Sequence, residues 1–254
     1  MIRFILKTFV ITELEIRKIF HDPTEIVLRT VQPTLWLLIF GQVFQKMHPM
    51  NGSMPYIDFM TPGILAQSVL FISIFYGIAV IWERDLGLTQ KFLVTPTPRT
   101  ALVLGKALSA GIRSIPVMTI IYMLAFLLKV KLNLAITEIF TVLLAVVMAS
   151  VLFSTFSLII ACLVKTRERF MGIGQVLTMP LFFASNAIYP IDIMPRWLQI
   201  LSHVNPLTYT INVLRSSMLQ NQSQANVFRD LGILMILCVL LIIIGGALYK
   251  RVII

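Results

Sequence analysis

The sequence predicts an all-α membrane protein with six transmembrane helices, and three observations carry that expectation. Of the 254 residues 58% are apolar and only 13% are Asp, Glu, Lys or Arg, against about 25% charged residues in an average soluble domain. The mean hydropathy is +0.91. The apolar residues also gather into runs near the roughly 20 residues that carry a helix across a bilayer. The first two observations exclude an ordinary soluble protein, and they exclude intrinsic disorder, which needs low hydrophobicity and dense charge. Lys and Arg total 21 against 11 acids, a net charge of +10. In a multi-pass protein such an excess belongs on the cytoplasmic side, so it does not indicate a nucleic-acid partner.

The six expected spans follow in order. The first covers residues 26–44 and is interrupted by Arg29 and Pro33; the second covers 59–82 and opens with Thr61, Pro62 and Gly63. The third runs over 109–128 and the fourth over 134–164. The fifth, 170–189, contains Gly172, Gly174 and Pro180, and the sixth, 231–249, is uninterrupted. Cys162 and Cys238 both lie inside apolar runs, which suits neither a disulfide framework nor a metal site. The chain starts with a charged amphipathic stretch, so no cleavable signal peptide is expected. Orientation follows from the cations: one set of connections holds 15 Lys and Arg and the other 6. This places both termini in the cytoplasm, consistent with an even number of spans.

Three segments lie outside the expected spans of what reads as a single transmembrane domain over 1–254. Residues 1–22 form an amphipathic helix with Ile2, Ile5, Leu6, Phe9, Ile16, Ile19 and Phe20 on one face and Arg3, Lys7, Glu15 and Lys18 opposite, as expected of a helix on the membrane surface. The 83–99 loop is too charged for hydrocarbon, and Pro96 and Pro98 end any helix within it. Residues 189–230 are too apolar for a free loop and too broken by proline to span. Non-helical backbone at membrane depth is tolerated only where protein buries it or where it lines a cavity, so a re-entrant outer segment is expected there.

Glu83, Arg84 and Gly87, followed by Leu93, Pro96, Pro98 and Arg99, resemble the cytoplasmic loop of ABC-2 type transporter permeases. Pro190, Pro195, Trp197, Leu198, Asn205, Pro206, Leu207, Tyr209 and Arg215 resemble the stretch after the fifth span of the same family. The two motifs stand in the family's order along the whole chain. The resemblance implies the membrane subunit of an ATP-driven exporter, working as a homodimer of permease chains with separate ATPase subunits that hold ATP and Mg. It implies that 83–99 is a coupling helix between spans two and three, and that 190–215 forms an outer gate. The chain has no G-x-x-x-x-G-K-[ST] phosphate loop, so it is not expected to be an enzyme itself. It is expected in a bacterial-type inner (cytoplasmic) membrane.

Two other classes fit less well. An ion-coupled secondary transporter needs acids near mid-membrane, and the expected spans hold none at their centres. An intramembrane protease needs a nucleophile or metal constellation, and His21, His48 and His203 fall outside the spans without ligand spacing. Ser154, Ser157, Gln175 and Asn186 are candidates to line a pathway; hydroxyl and small residues are equally the usual material of transmembrane helix packing. With no large soluble domain for capture, the expected cargo is a hydrophobic or amphipathic drug, antibiotic or lipid-like compound. The alternative cargo is a lipid-linked polysaccharide or glycolipid.

Overall fold

A computed structural model describes residues 2–21, 24–43, 55–87, 98–220, 224 and 226–249. Among them the chain is helical, with one isolated antiparallel bridge between Leu132 and Leu219. The N-terminal helix α1 is Ile2–His21, and α2 is Thr24–Leu35 followed by a π-helical stretch, Trp36–Phe40. Pro33 lies just upstream of that stretch, where its missing N–H and its ring disturb the regular helical ladder. Next come α3, Tyr56–Phe75, and α4, Gly77–Asp85, joined end to end through Tyr76. Then α5 is Arg99–Leu127, α6 is Ile136–Leu163 and α7 is Arg167–Phe183. A short 3-10 turn, Ile191–Ile193, precedes α8, Arg196–Val204, α9, Pro206–Met218, and α10, Val227–Leu248.

Four helical stretches among the described residues are long and apolar enough to cross a membrane: Tyr56–Asp85, Arg99–Leu127, Ile136–Leu163 and Val227–Leu248. They answer to the second, third, fourth and sixth expected spans. Burial orders them. Of the most apolar stretch, 78% is buried in α3–α4 and 67% in α6, but only 22% in α10. The chain therefore folds around α3 and α6, with α10 presenting most of its apolar surface outward. Helix α7, at 17 residues, is shorter than a usual span.

Two boundaries differ from expectation for physical reasons. Helix α5 begins at Arg99 and not at residue 109, because Lys106 is buried among carboxylates and a paired charge does not end a helix. Helix α7 ends at Phe183 and not at 189, where the chain turns through Ala184, Ser185 and Asn186 toward α8. The segment expected to re-enter becomes two dissimilar helices. Pro195 and Asn205 stand at their N-caps, and the Asn205 side chain accepts from the Leu207 N–H at 3.0 Å.

Helix ends sort into two groups. At the basic end, Gly246 of α10 packs on Thr100 of α5, and Arg167 of α7 reaches Asp85 of α4 at 2.8 Å. At the opposite end, the Tyr56 hydroxyl donates to the Ile188 carbonyl at 3.1 Å, and the Asn133 N–H donates to the Met218 carbonyl at 2.7 Å. Gly63 of α3 lies so close to Ala187 that a Cβ would fall 2.8 Å from the Ala187 Cα. Helix α7 thus begins beside the base of α4 and ends beside the start of α3.

Candidate functional site

The base of α4 carries three consecutive charged residues, and each is held by a different part of the fold. Glu83 is buried and bonds Lys106 of α5. The Arg84 guanidinium donates to the Val164 carbonyl at 3.0 Å and to the Lys165 carbonyl, in the turn between α6 and α7. Asp85 accepts from Arg167 at the start of α7, whose guanidinium lies 3.6 Å over the Trp82 ring. A helix presents successive residues at about 100° to one another. Three adjacent side chains therefore reach three neighbours and fix the end of α4 in position and rotation. Just beyond, Leu86 is 68% exposed and Gly87 takes a left-handed φ of +69° with none of the described residues near its absent Cβ. A glycine is at ease in that conformation.

Behind Glu83 lies a buried ionic cluster. Lys106 is 1% exposed, and its Nζ also donates to Glu15 of α1 at 3.4 Å. The other Glu15 oxygen faces Arg113 at 3.9 Å, and Arg113 sits 5.0 Å over the ring of Tyr76. The Tyr76 hydroxyl bonds Ser109 at 3.1 Å. Among the described residues, the Glu15 and Glu83 carboxylates thus face Lys106 and Arg113, and opposite charge is how ions survive removal from water.

At the opposite end a polar chain crosses the interior. The Arg215 guanidinium of α9 donates to the Asn186 carbonyl at 2.7 Å and stacks 3.9 Å over the Phe59 ring. The Asn186 amide donates to Asn212 at 2.7 Å, and Asn212 donates to Asp230 at 3.2 Å. Burial lowers the affinity of Arg215 for its proton, with a pKa of about 10. Asn205 donates to the Leu181 carbonyl at 2.6 Å, tying α9 back to α7.

The ABC-2 type transporter family model matches residues 7–219, which takes in the Lys106 cluster and all of the second polar chain except Asp230. The chain belongs to the ABC-2 type transporter family. It is 30% identical to a Cyanophora paradoxa protein named transport permease ycf38, over 98% of this chain and 89% of that protein. It is 25% identical to the inner membrane transport permease YadH of Escherichia coli (strain K12), over 86% of this chain and 84% of that one. It is 21% identical to the daunorubicin resistance ABC transporter permease protein DrrB1 of Streptomyces coeruleorubidus, over 78% and 70% of the two chains. The chain is a multi-pass membrane permease.

The residues that the sequence singled out in this permease fall into distinct environments. Of the 83–99 set, Glu83, Arg84 and Gly87 end α4 as described, Pro98 stands at the N-cap of α5 and Arg99 is its first residue. Leu93 and Pro96 lie outside the described residues. Of the 190–215 set, Pro195 and Trp197 are exposed, Trp197 by 64%, whereas Asn205 and Leu207 are buried. Pro190, Leu198, Pro206, Tyr209 and Arg215 lie between these extremes. Helix α8 therefore lays an apolar face outward and α9 belongs to the core.

The four pathway candidates do not share one surface. The Ser157 hydroxyl bonds the Ile74 carbonyl and accepts from the Gly77 N–H at 3.1 Å, bridging the junction of α3 and α4. Ser154 donates within its own helix, Gln175 is exposed on α7, and Asn186 joins the polar chain at the far end. Sequence reading missed Glu15 as a buried residue: expected on the outward polar face of α1, it is 1% exposed. It also counted Lys106 only as a cytoplasmic cation. The available signal was a lysine seven residues beyond a proline-capped helix start, flanked by Gly105 and Ala107, which admit a close neighbour.

Proposed function

We propose that this permease is the membrane subunit of an ATP-driven exporter that moves a hydrophobic or amphipathic compound out of the cytoplasm or inner leaflet. The observation that carries the reading is the three-way fixation of Glu83, Arg84 and Asp85, with Leu86 and Gly87 left open to a partner. A cytoplasmic ATPase subunit would seat on this segment, and ATP and Mg would be held by that subunit. Two permease chains and two ATPase chains would form the working unit. Closure of the ATPases biases the bundle because the segment's contacts differ between its two states.

The topology in this proposal has six passes and both termini in the cytoplasm. Its support is that the ends of α7 lie against opposite ends of the α3–α4 stretch, and that Gly41, just after the π-helical stretch, packs on Ile57 at the start of α3. The excess of Lys and Arg at the α4–α5 end supports the orientation. The drug-like cargo has its support in the daunorubicin resistance for which the Streptomyces relative is named. Reconstitution in vesicles with its ATPase tests the whole reading. A fluorescent amphiphile should move and should stimulate ATP hydrolysis, and Glu83→Ala should abolish that stimulation without preventing membrane insertion. Stimulation that persists in Glu83→Ala rejects the assignment of the segment.

A further inference from the structure

Helix α1 is usually read, from sequence, as a surface anchor, but its packing says more. Its exposed side carries Phe9 at 65% and Leu6 at 58%, both on the face expected to meet lipid, together with Leu14 at 41% and the exposed Glu13–Arg17 ion pair. Its other side is not turned to water. Thr8, Ile11, Thr12 and Glu15 are buried, and their spacing of three or four residues makes them one helical face. Gly105 of α5 receives this face. The Thr12 hydroxyl donates to the Gly105 carbonyl at 3.1 Å, and a Cβ on Gly105 would stand 2.8 Å from that of Ile11. One residue on, Lys106 holds Glu15 of α1 and Glu83 of α4 with the same ammonium group.

We propose that Lys106 is a positioning residue that locks the lipid-facing helix α1 to the base of α4, so that α1 and the coupling segment move as one body. An ammonium shared by two buried carboxylates cannot leave either without exposing an unpaired charge to a dry interior. The lock is therefore stiff in a way that an apolar contact is not. Through it, force at the coupling segment reaches a helix embedded at the bilayer surface. The role of Lys106 in coupling rests on the reading of 83–99 given above, whereas the lock itself does not.

The test separates the two. Spin labels at Leu14→Cys and Leu86→Cys, both exposed positions, report the distance between α1 and the end of α4 in vesicles without any ATPase, with Cys162 and Cys238 replaced by alanine. One narrow distance is expected with Lys106 present. Lys106→Met should broaden the distribution and Lys106→Arg should keep it narrow. Glu15→Gln, which leaves the Lys106–Glu83 pair in place, should also broaden it and serves should Lys106→Met fail to insert. A distribution as narrow in Glu15→Gln as in the parent overturns the lock. With the ATPase added, the ratio of stimulated to basal hydrolysis should fall at least fivefold in Glu15→Gln. An unchanged ratio beside a broadened distance overturns the coupling role of the lock, while persistence of stimulation in Glu83→Ala rejects the underlying reading.

Discussion

Arg84 of α4 donates from its Nη1 to the carbonyl of Val164 at 3.0 Å, so a cation next to the coupling segment also closes the end of α6. Val164 is the C-cap of α6, at the end of a helix, where carbonyls lack intrahelical partners. A guanidinium there satisfies the orphan group and favours the helix dipole. Arg84→Ala should cost about 1.5–3 kcal/mol, the usual value of a hydrogen bond to a charged group. Hydrogen exchange of the 164–167 amides should rise in that variant while amides of α3 stay protected.

The Lys106 cluster predicts a non-additive pair. Removing one partner of a buried ion pair costs about 3–5 kcal/mol, whereas replacing both by apolar groups of similar size is often neutral. Glu83→Leu alone should therefore lower the thermal midpoint strongly. Glu83→Leu with Lys106→Met, which leaves Glu15 facing Arg113, should recover at least half of that loss, and adding Glu15→Leu alone should lose it again by leaving Arg113 without that carboxylate. Thermal unfolding in detergent measures the series, and strictly additive losses would contradict the geometry.

Two glycines should answer oppositely to alanine. Gly63 meets the Ala187 backbone, so Gly63→Ala must push the α7–α8 turn away from α3, at about 1–3 kcal/mol for an overpacked core. Gly172, inside α7, has none of the described residues within reach of an added Cβ. Gly172→Ala should be neutral or stabilise by about 0.5–1 kcal/mol through helix propensity. Thermal midpoints of the two variants in one detergent decide it.

Both cysteines are 5% exposed and Cys238 donates to the Met148 carbonyl at 3.3 Å. Access governs thiol reactivity. A maleimide should label neither thiol in the folded permease within the time that fully labels Leu86→Cys, and both after denaturation. Rapid labelling of Cys238 in the native state would mean that α10 does not pack on α6 as described.

Much of the bundle was legible because lipid-scale apolar runs leave few alternatives. The helices over 56–85, 136–163 and 227–248 fall within a few residues of where hydropathy puts them. The limits failed where charge is paired. Lys106 made the start of α5 look like loop, and Glu15 made one face of α1 look solvated, because a sequence gives the charge of a residue but not its partner. The outer segment was legible in part: its prolines marked the breaks, yet its two helices look alike in composition and differ in burial. Trp197 turns outward, and Leu207, ten residues on, is 0% exposed.

The sequence by itself determined that the chain is an apolar helical protein of the ABC-2 type, with most of its cations assigned to one set of connections. Those properties follow from transfer energies and helix periodicity, which act residue by residue. Only the tertiary structure decided that Glu83 points inward to Lys106, that Arg84 and Asp85 hold the α6–α7 turn, and that α1 docks on Gly105. The reason is that a buried charge is tolerable only with a specific neighbour, here 23 and 91 residues away along the chain, and hydropathy carries no information about which neighbour that is.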